Sequence, residues 1–512
     1  MRRALIIASL LTLCLGALGA PAGAGSAAPR GPNDEFHWFG AGYGHGLGMS
    51  QWGAYGLARQ GWGASQILTH YYSGTRVGRE QSPPETLRIG LIQGRAVVRL
   101  EAEVGPVEVR LGDRSGQAIA TVPAGETWKV AVAGSSYKIV DASGNAVGRF
   151  GGPEQPIVAV FEELGSRVRV PEAAHAYNRG VAEFGLYDCD PGCVERLILV
   201  VDPQGYLYGL GEVPSSWPMN AMKAQAIAAR TYAFTKAASS QHRSGCDCAL
   251  YASSYDQVYA GWDKEGGIDG DRWVSAVDQT ENLVVKDGGS TIQAFYMSSS
   301  GGYTENNENV WGGDPISYLR GVCDPGDYTP SNPSATWEVT TTVAQVTSEL
   351  GLGIGTVTRF ADIVRGVSGR ILSTTVIGES GQAQVSGNTL QSALGLRDDR
   401  VWINANRLVT GDIRAKYDEL GCSPGLPTSK QTHVAGGLRQ TFVDGAIYSF
   451  SPAGVHEVQG PVLERYLQEG GPAGALGFPT SDVQVRPNGN LRSTFEHGLI
   501  TCRADGSGCT VG

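Results

Sequence analysis

Glu212 is the residue on which a chemical reading of this chain turns. It is the lone carboxylate of Tyr206-Leu-Tyr-Gly-Leu-Gly-Glu-Val-Pro-Ser-Ser-Trp-Pro218, a Gly/Pro-rich turn that runs straight into an alanine-rich stretch. One carboxylic acid at a helix entrance, beside aromatic rings, is what a sugar-cleaving reaction with a single acid/base group needs. To donate a proton near neutral pH the acid must be desolvated, which raises its pKa. Trp217, Tyr206 and Tyr208 are close enough in sequence to form that apolar wall, whereas a nearby helix N-terminus would push the other way.

The element that must position Glu212 is the helix expected after Pro218. Ser215 or Ser216 can cap it, and a proline in the first turn costs no hydrogen bond. Met222, Ala226, Ala229 and Ala233 then share one face, so small-sided that another backbone must approach closely. Lys223, Gln225 and Arg230 on this helix read as supports that neutralise buried carboxylates.

Composition bounds the partners. At 512 residues the chain exceeds one core, and 41% hydrophobic with 18% charged residues suits a folded, soluble protein. A net charge of −10 offers no cationic track for a phosphate backbone, so nucleic acid is a poor partner and neutral glycan a better one. Residues 1–28 read as a signal peptide. Arg2 and Arg3 precede an apolar run from Ala4 to Leu18, and small residues lead to a cut after Ala24 or Ala28. Leu13 before Cys14 argues against a lipoprotein site. Export places the other eight cysteines in an oxidising setting, where disulfides are the default. Cys189 and Cys193 flank a turn, and Cys502 and Cys509 bracket a loop. Cys246, Cys248, Cys323 and Cys422 cannot be paired from spacing. His242, Cys246 and Cys248 also have metal-like spacing for zinc, but no convincing fourth ligand accompanies them.

Four textures follow along the chain. Residues 29–80 hold the glycine- and aromatic-rich Gly40-Ala-Gly-Tyr-Gly-His-Gly-Leu-Gly-Met-Ser-Gln-Trp-Gly-Ala54, then two short helices with Ser65 near the start of the second. Residues 86–200 alternate apolar and polar residues between turn signals, the mark of antiparallel strands. Residues 206–410 mix helix and strand. From about 411 to 512 an internal repeat appears: Gly425-Leu-Pro-Thr-Ser recurs as Gly477-Phe-Pro-Thr-Ser, and Gly445 as Gly498. The fold class expected is α+β, a mixed core with an antiparallel β-rich subdomain and a small C-terminal repeat domain.

The stretch around Glu212, with Ala221-Met-Lys-Ala-Gln-Ala-Ile-Ala-Ala-Arg-Thr-Tyr232 after it, resembles the signature of the SpoIID/LytB family of bacterial cell-wall proteins. So do Leu87-Arg-Ile-Gly-Leu91, the run Ala294-Phe-Tyr-Met-Ser-Ser-Ser-Gly-Gly-Tyr-Thr-Glu305 with Val310-Trp-Gly312, and Ser386-Gly-Asn-Thr-Leu-Gln-Ser-Ala-Leu-Gly-Leu396. The resemblance spans most of residues 86–404, within a domain expected at 81–410. Relatives usually carry the GHGxGMSQWGA motif after this domain. Here it stands before the first strand, which looks like a circular permutation, so residues 36–75 are expected to fold back and complete the site. Glu212 aligns with the family's catalytic glutamate across a two-residue gap.

Lytic members of this family are transglycosylases that cleave peptidoglycan strands stripped of stem peptides. The resemblance implies that Glu212 protonates the glycosidic oxygen and then takes a proton from the C6 hydroxyl, closing an anhydro ring without a second carboxylate. His45, Ser50, Gln51, Ser299, Ser300 and Thr304 would hydrogen-bond the sugars, with Tyr206, Trp217 and Trp311 as the aromatic contacts. Other members are non-catalytic and enhance a partner amidase, which is the alternative reading. The repeats at 411–512 resemble LGFP repeats of exported actinobacterial proteins, which implies binding to a cell-envelope polymer and a secreted, wall-associated location. A packing-only cap is the plainer reading of the repeats. No cofactor is expected. The glycine run lacks the preceding strand and βαβ unit of a nucleotide loop, and no HExxH spacing suggests a metalloprotease.

Overall fold

The computed structural model describes residues 34–503 and 505–512, so the leader expected at 1–28 lies outside the described residues. Between Leu87 and Val201 the alternating pattern builds two largely antiparallel sheets, one of seven strands and one of six. Strand Val97–Val104 shows why: Val98, Leu100 and Ala102 point inward while the residues between them face out. Ile157, Phe184, Leu197 and Leu199 of the other sheet join them in one core. Strand Leu87–Arg95 pairs antiparallel with Val194–Val201, and its other edge takes the short parallel strand Leu250–Tyr251. The α+β class with an antiparallel subdomain is what the structure has.

Helix Met219–Ser239 is the central pillar. It begins at Met219 with Pro218 as its cap residue and no side-chain cap, so the expected serine cap is corrected. Ser215 instead lies in a turn, its carbonyl and that of Trp217 held by the Arg272 guanidinium. The helix is buried on nearly every side, as an all-round apolar helix must be. Met222, Ala226, Ala229 and Ala233 face the β core, whereas Ala224, Ile227 and Ala228 face a second core. Arg230 neutralises no carboxylate. It donates to the carbonyls of Val277, near the end of helix Gly270–Asp278, and of Leu283, at the start of the strand that follows.

The second core belongs largely to the N-terminal segment. Strand Glu35–Gly40 lies between Trp337–Thr342 and Val401–Ile403, with Phe36 and Trp38 buried in a third core. The chain then threads past residues 295–301, and Met49–Ser50 pairs parallel with Tyr296–Met297. Gly46 shows why glycine is required there: its φ is +87° and a Cβ would meet the Arg370 guanidinium. Helices Gln51–Arg59 and Ala64–Tyr71 pack on the pillar. Residues 49–71 thus pack on the pillar helix and residues 295–301, while strand Glu35–Gly40 pairs outside the 206–320 region.

A buried carboxylate pair stitches this segment down. Asp327 accepts from the hydroxyls of Ser50 (2.8 Å) and Ser299 (2.8 Å) and from the backbone N–H of Ser300 and Gly301. Asp324 accepts from the hydroxyls of Tyr71 (2.7 Å) and Ser300 (2.6 Å).

The tail holds the two repeats in matching form. In the first, Tyr417 of helix Gly411–Glu419 donates to the carbonyl of Gly425. In the second, Tyr466 of helix Gly460–Gln468 donates to that of Gly477. Pro427 pairs with Phe442 as Pro479 does with Phe495. Disulfides join Cys189 to Cys193, Cys246 to Cys248, Cys323 to Cys422 and Cys502 to Cys509. The third fastens the first repeat to the core. The second removes both thiolates from the zinc alternative, and His242 turns to Asp247 instead.

Tyr71→Phe deletes the donor to Asp324 Oδ1, one oxygen of a wholly buried carboxylate. It should lower the unfolding free energy by about 1–3 kcal/mol, measured by denaturant titration.

Candidate active site

Glu212 sits on a turn that runs beside residues 257–261. Gly211 N–H donates to the Val258 carbonyl, and Val258 N–H returns a bond to Glu212 Oε1 at 2.7 Å. Gln51 Nε2 donates to Oε2 at 3.2 Å from the first residue of its helix. The Tyr296 hydroxyl also bonds the carboxyl. Burial raises the Glu212 pKa, while Val258, Gln51 and Tyr296 pull it back down, and the net direction is upward. Glu212 is not in the first turn of the pillar helix, which starts seven residues later.

The carboxyl opens into a cavity of about 740 Å³ whose wall includes Tyr43, His45, Gln51, Lys236, Tyr296 and Trp311. A second cavity of about 1060 Å³, lined partly by Asn388, Gln391 and Arg397, shares Tyr43, Gly44, His45, Ser298 and Trp311 with it. Through these shared residues the two cavities adjoin as one groove, with Glu212 in one arm. Trp311 is 55% exposed at the junction, its ring 5.1 Å from His45 and 4.5 Å from Phe295. The two neighbouring rings hold this exposed indole at the mouth of the groove.

Several expected ligands have other roles. His45 lines the groove, but Leu47 N–H donates to its Nδ1 (3.0 Å), so Nε2 carries the proton toward the Tyr296 carbonyl (3.1 Å). Burial and the Arg370 charge lower its pKa to about 4, so it is a neutral ring in the wall, with both nitrogens already bonded within the protein. Ser50, Ser299 and Ser300 are wholly buried on Asp324 and Asp327, which corrects their expected contact with sugars. Thr304 is likewise buried, its hydroxyl accepting from Val322 N–H. Trp217 packs between Trp52 and Tyr55 outside both cavities. Tyr206 is fully buried and acts at one remove. It donates to Gln257 Oε1, Gln257 Nε2 donates to the Tyr296 hydroxyl, and Tyr296 bonds Glu212.

The structure brings Glu212, Gln51, His45 and Trp311 together from the expected set. Reading the residues missed Tyr296, Val258 and Gln257. Tyr296 lay inside the run quoted for its serines, and an aromatic hydroxyl next to that run was the available signal. Nothing in Asp256-Gln-Val-Tyr259 marks a backbone N–H as a carboxyl partner.

Comparison with known proteins bears on the same region. Residues 195–286 match the family model described as Stage II sporulation protein, SpoIID, and residues 425–474 match the LGFP repeat. The chain therefore carries a SpoIID segment, with Glu212 inside it, and an LGFP repeat. It is 35% identical over 135 residues to a protein named Amidase enhancer from Bacillus subtilis (strain 168), covering 26% of this chain and 16% of that protein. It is 27% identical over 202 residues to Stage II sporulation protein D from Bacillus amyloliquefaciens, covering 38% of this chain and 57% of the relative. The Bacillus subtilis (strain 168) protein of that name is 28% identical over 229 residues, covering 43% and 65%. The chain thus spans less than two thirds of the length of each of these relatives.

The raised Glu212 pKa has a stability consequence of definite sign. In the window above 4.5 the folded state holds a proton that the unfolded state releases, so ionisation costs stability as pH rises. Glu212→Gln removes that cost. Its Tm should exceed that of the parent at pH 8, and the gap should close as pH falls to 4, followed by calorimetry.

Proposed function

We propose that this protein is an exported, cell-wall-associated lytic transglycosylase that cleaves peptide-free peptidoglycan strands, with Glu212 as its one general acid/base. The observation that carries this is the buried Glu212 carboxyl, which has no ion-pair partner among the described residues and opens into a groove that extends well beyond it, whereas Asp256 in the same wall is tied to Lys236 and Arg243. The names of the relatives support a wall-related role, and the LGFP repeat supports attachment to an envelope polymer.

Protonated Glu212 donates to the glycosidic oxygen as that bond breaks toward an oxocarbenium-like state. The carboxylate left behind then takes the C6 hydroxyl proton while that oxygen closes on the anomeric carbon. Glu212 ends protonated, one bond has been exchanged for another, and no water is consumed. Burial keeps the acid form available. The Val258 N–H and Tyr296 hydroxyl stabilise the carboxylate between the two proton transfers. Gln51 serves both states, because its amide donates to a carboxylate and, turned over, accepts from the acid.

The relative named Amidase enhancer favours a second reading, in which the same groove holds wall glycan without cutting it and stimulates a partner amidase. Incubation with peptide-free strands, followed by mass spectrometry for anhydro-muramic ends, separates the two. Under the first reading Glu212→Gln lowers turnover by about 10²–10⁴-fold while strands still bind. Absence of anhydro product from the unmodified protein sinks the enzyme reading and leaves the second.

Because the acid form is required, the rate should fall as pH rises through the Glu212 pKa. Gln51→Leu deletes a bond that favours the carboxylate, so the alkaline limb of the pH–rate profile should move to higher pH. An unmoved limb would mean that Gln51 does not act on Glu212.

A further inference from the structure

The arm of the groove that holds Glu212 has an unbalanced wall. Lys236, near the end of the pillar helix, lies 3.4 Å from Asp256, and the Arg243 guanidinium lies 2.7 Å from the other oxygen of the same carboxylate. Asp256 is nearly sealed at 1% side-chain exposure, whereas Lys236 and Arg243 are each 24% exposed, and all three line the cavity with Glu212. Asp256 accepts from Tyr251 N–H and from the Tyr232 hydroxyl as well, so its oxygens are committed inward. Lys236 lies over the Tyr232 ring, and Arg243 over Tyr251 and the exposed Tyr255. Two cations share one carboxylate, and Glu212 is neutral when it acts as an acid. Among the described residues of this cavity no other anion faces the pair, so the wall carries one net positive charge in a protein of net charge −10.

We propose that Lys236 and Arg243, held by Asp256, form a subsite for the carboxylate of an acidic sugar. In a wall strand this is the lactyl ether carboxylate of the muramic residue. The assignment rests on the glycan reading above and adds the part of the sugar that is read. A free lactyl group is an anion that a partly desolvated ammonium and guanidinium can bind. Once a stem peptide is attached, that carboxyl is a neutral amide and the attraction is gone. The subsite thus discriminates at the sugar itself and lies in the same arm as the acid.

Strand binding to the full chain carrying Glu212→Gln, which removes turnover, tests this. Two probes are compared by calorimetry at low salt: peptide-free strands with free lactyl carboxylates, and the same strands with those carboxyls reduced to alcohols. The acid strand should bind about five-fold tighter, the scale of one partly exposed ion pair. Adding Lys236→Gln should bring the ratio toward one, and Lys236→Arg should keep it, which separates charge from loss of fold. Equal binding of the two strands, or a ratio unchanged in both Lys236→Gln and Arg243→Gln, overturns the carboxylate subsite alone. Failure of both strands to bind overturns the glycan reading with it.

Discussion

The fold of the site depends on keeping two carboxylates, Asp324 and Asp327, away from water. Burying such groups is costly unless their oxygens are filled by donors, and here the donors come from parts of the chain far apart in sequence. Ser50 and Tyr71 arrive from the N-terminal segment, and Ser299, Ser300 and Gly301 from the serine-glycine loop. Burial and the neighbouring Asp327 push the Asp324 pKa upward, so its ionised form depends on those donors. Neither segment can leave without stranding the pair. Since Gln51 follows Ser50 directly, the same stitch that closes the fold also fixes the amide that faces Glu212.

Glu212 itself is a compromise between opposed demands. An acid with no donors around it would stay protonated but would resist ionising when the proton must go. An acid fully supplied with donors would already be ionised. Burial on one side and three donors on the other leave it raised yet supported. The pillar helix makes this possible from a distance. Its alanines let the β core and the glycine-segment core approach on opposite sides, so that residues 257–261, 295–297 and 51 converge on one turn.

The sequence made the architecture more legible than the side-chain contacts. Alternation announced the strands between Leu87 and Val201, and the displaced glycine motif announced a segment that folds back, because both are patterns of burial and backbone conformation. Glu212 was legible because a carboxylate alone on such a turn has little structural use. Ser299 and Ser300, like Ser50, misled for the opposite reason: a hydroxyl that holds a buried carboxylate and one that binds a sugar have the same letter. Only the position of Asp324 and Asp327, some two dozen residues further on, distinguishes them. Val258 contributes a backbone N–H, which no side-chain pattern can report.

The tail belongs to this argument, since it covers the far side of the same loop. Gly302, at φ +103°, has no Cβ because the Arg414 guanidinium of the first repeat occupies that space. Arg414 is itself buried, bonded to Asp418 and stacked 4.9 Å from the Tyr328 ring, and the Cys323–Cys422 disulfide lies beside them. Tyr303 and Cys323 pack into the core of that repeat. The serine-glycine loop is therefore clamped between the glycine segment on one side and the repeat on the other. A repeat that served only to tether would need no such burial, because a flexible linker would suffice. Its fusion to the core instead holds the groove at a set orientation to the first repeat.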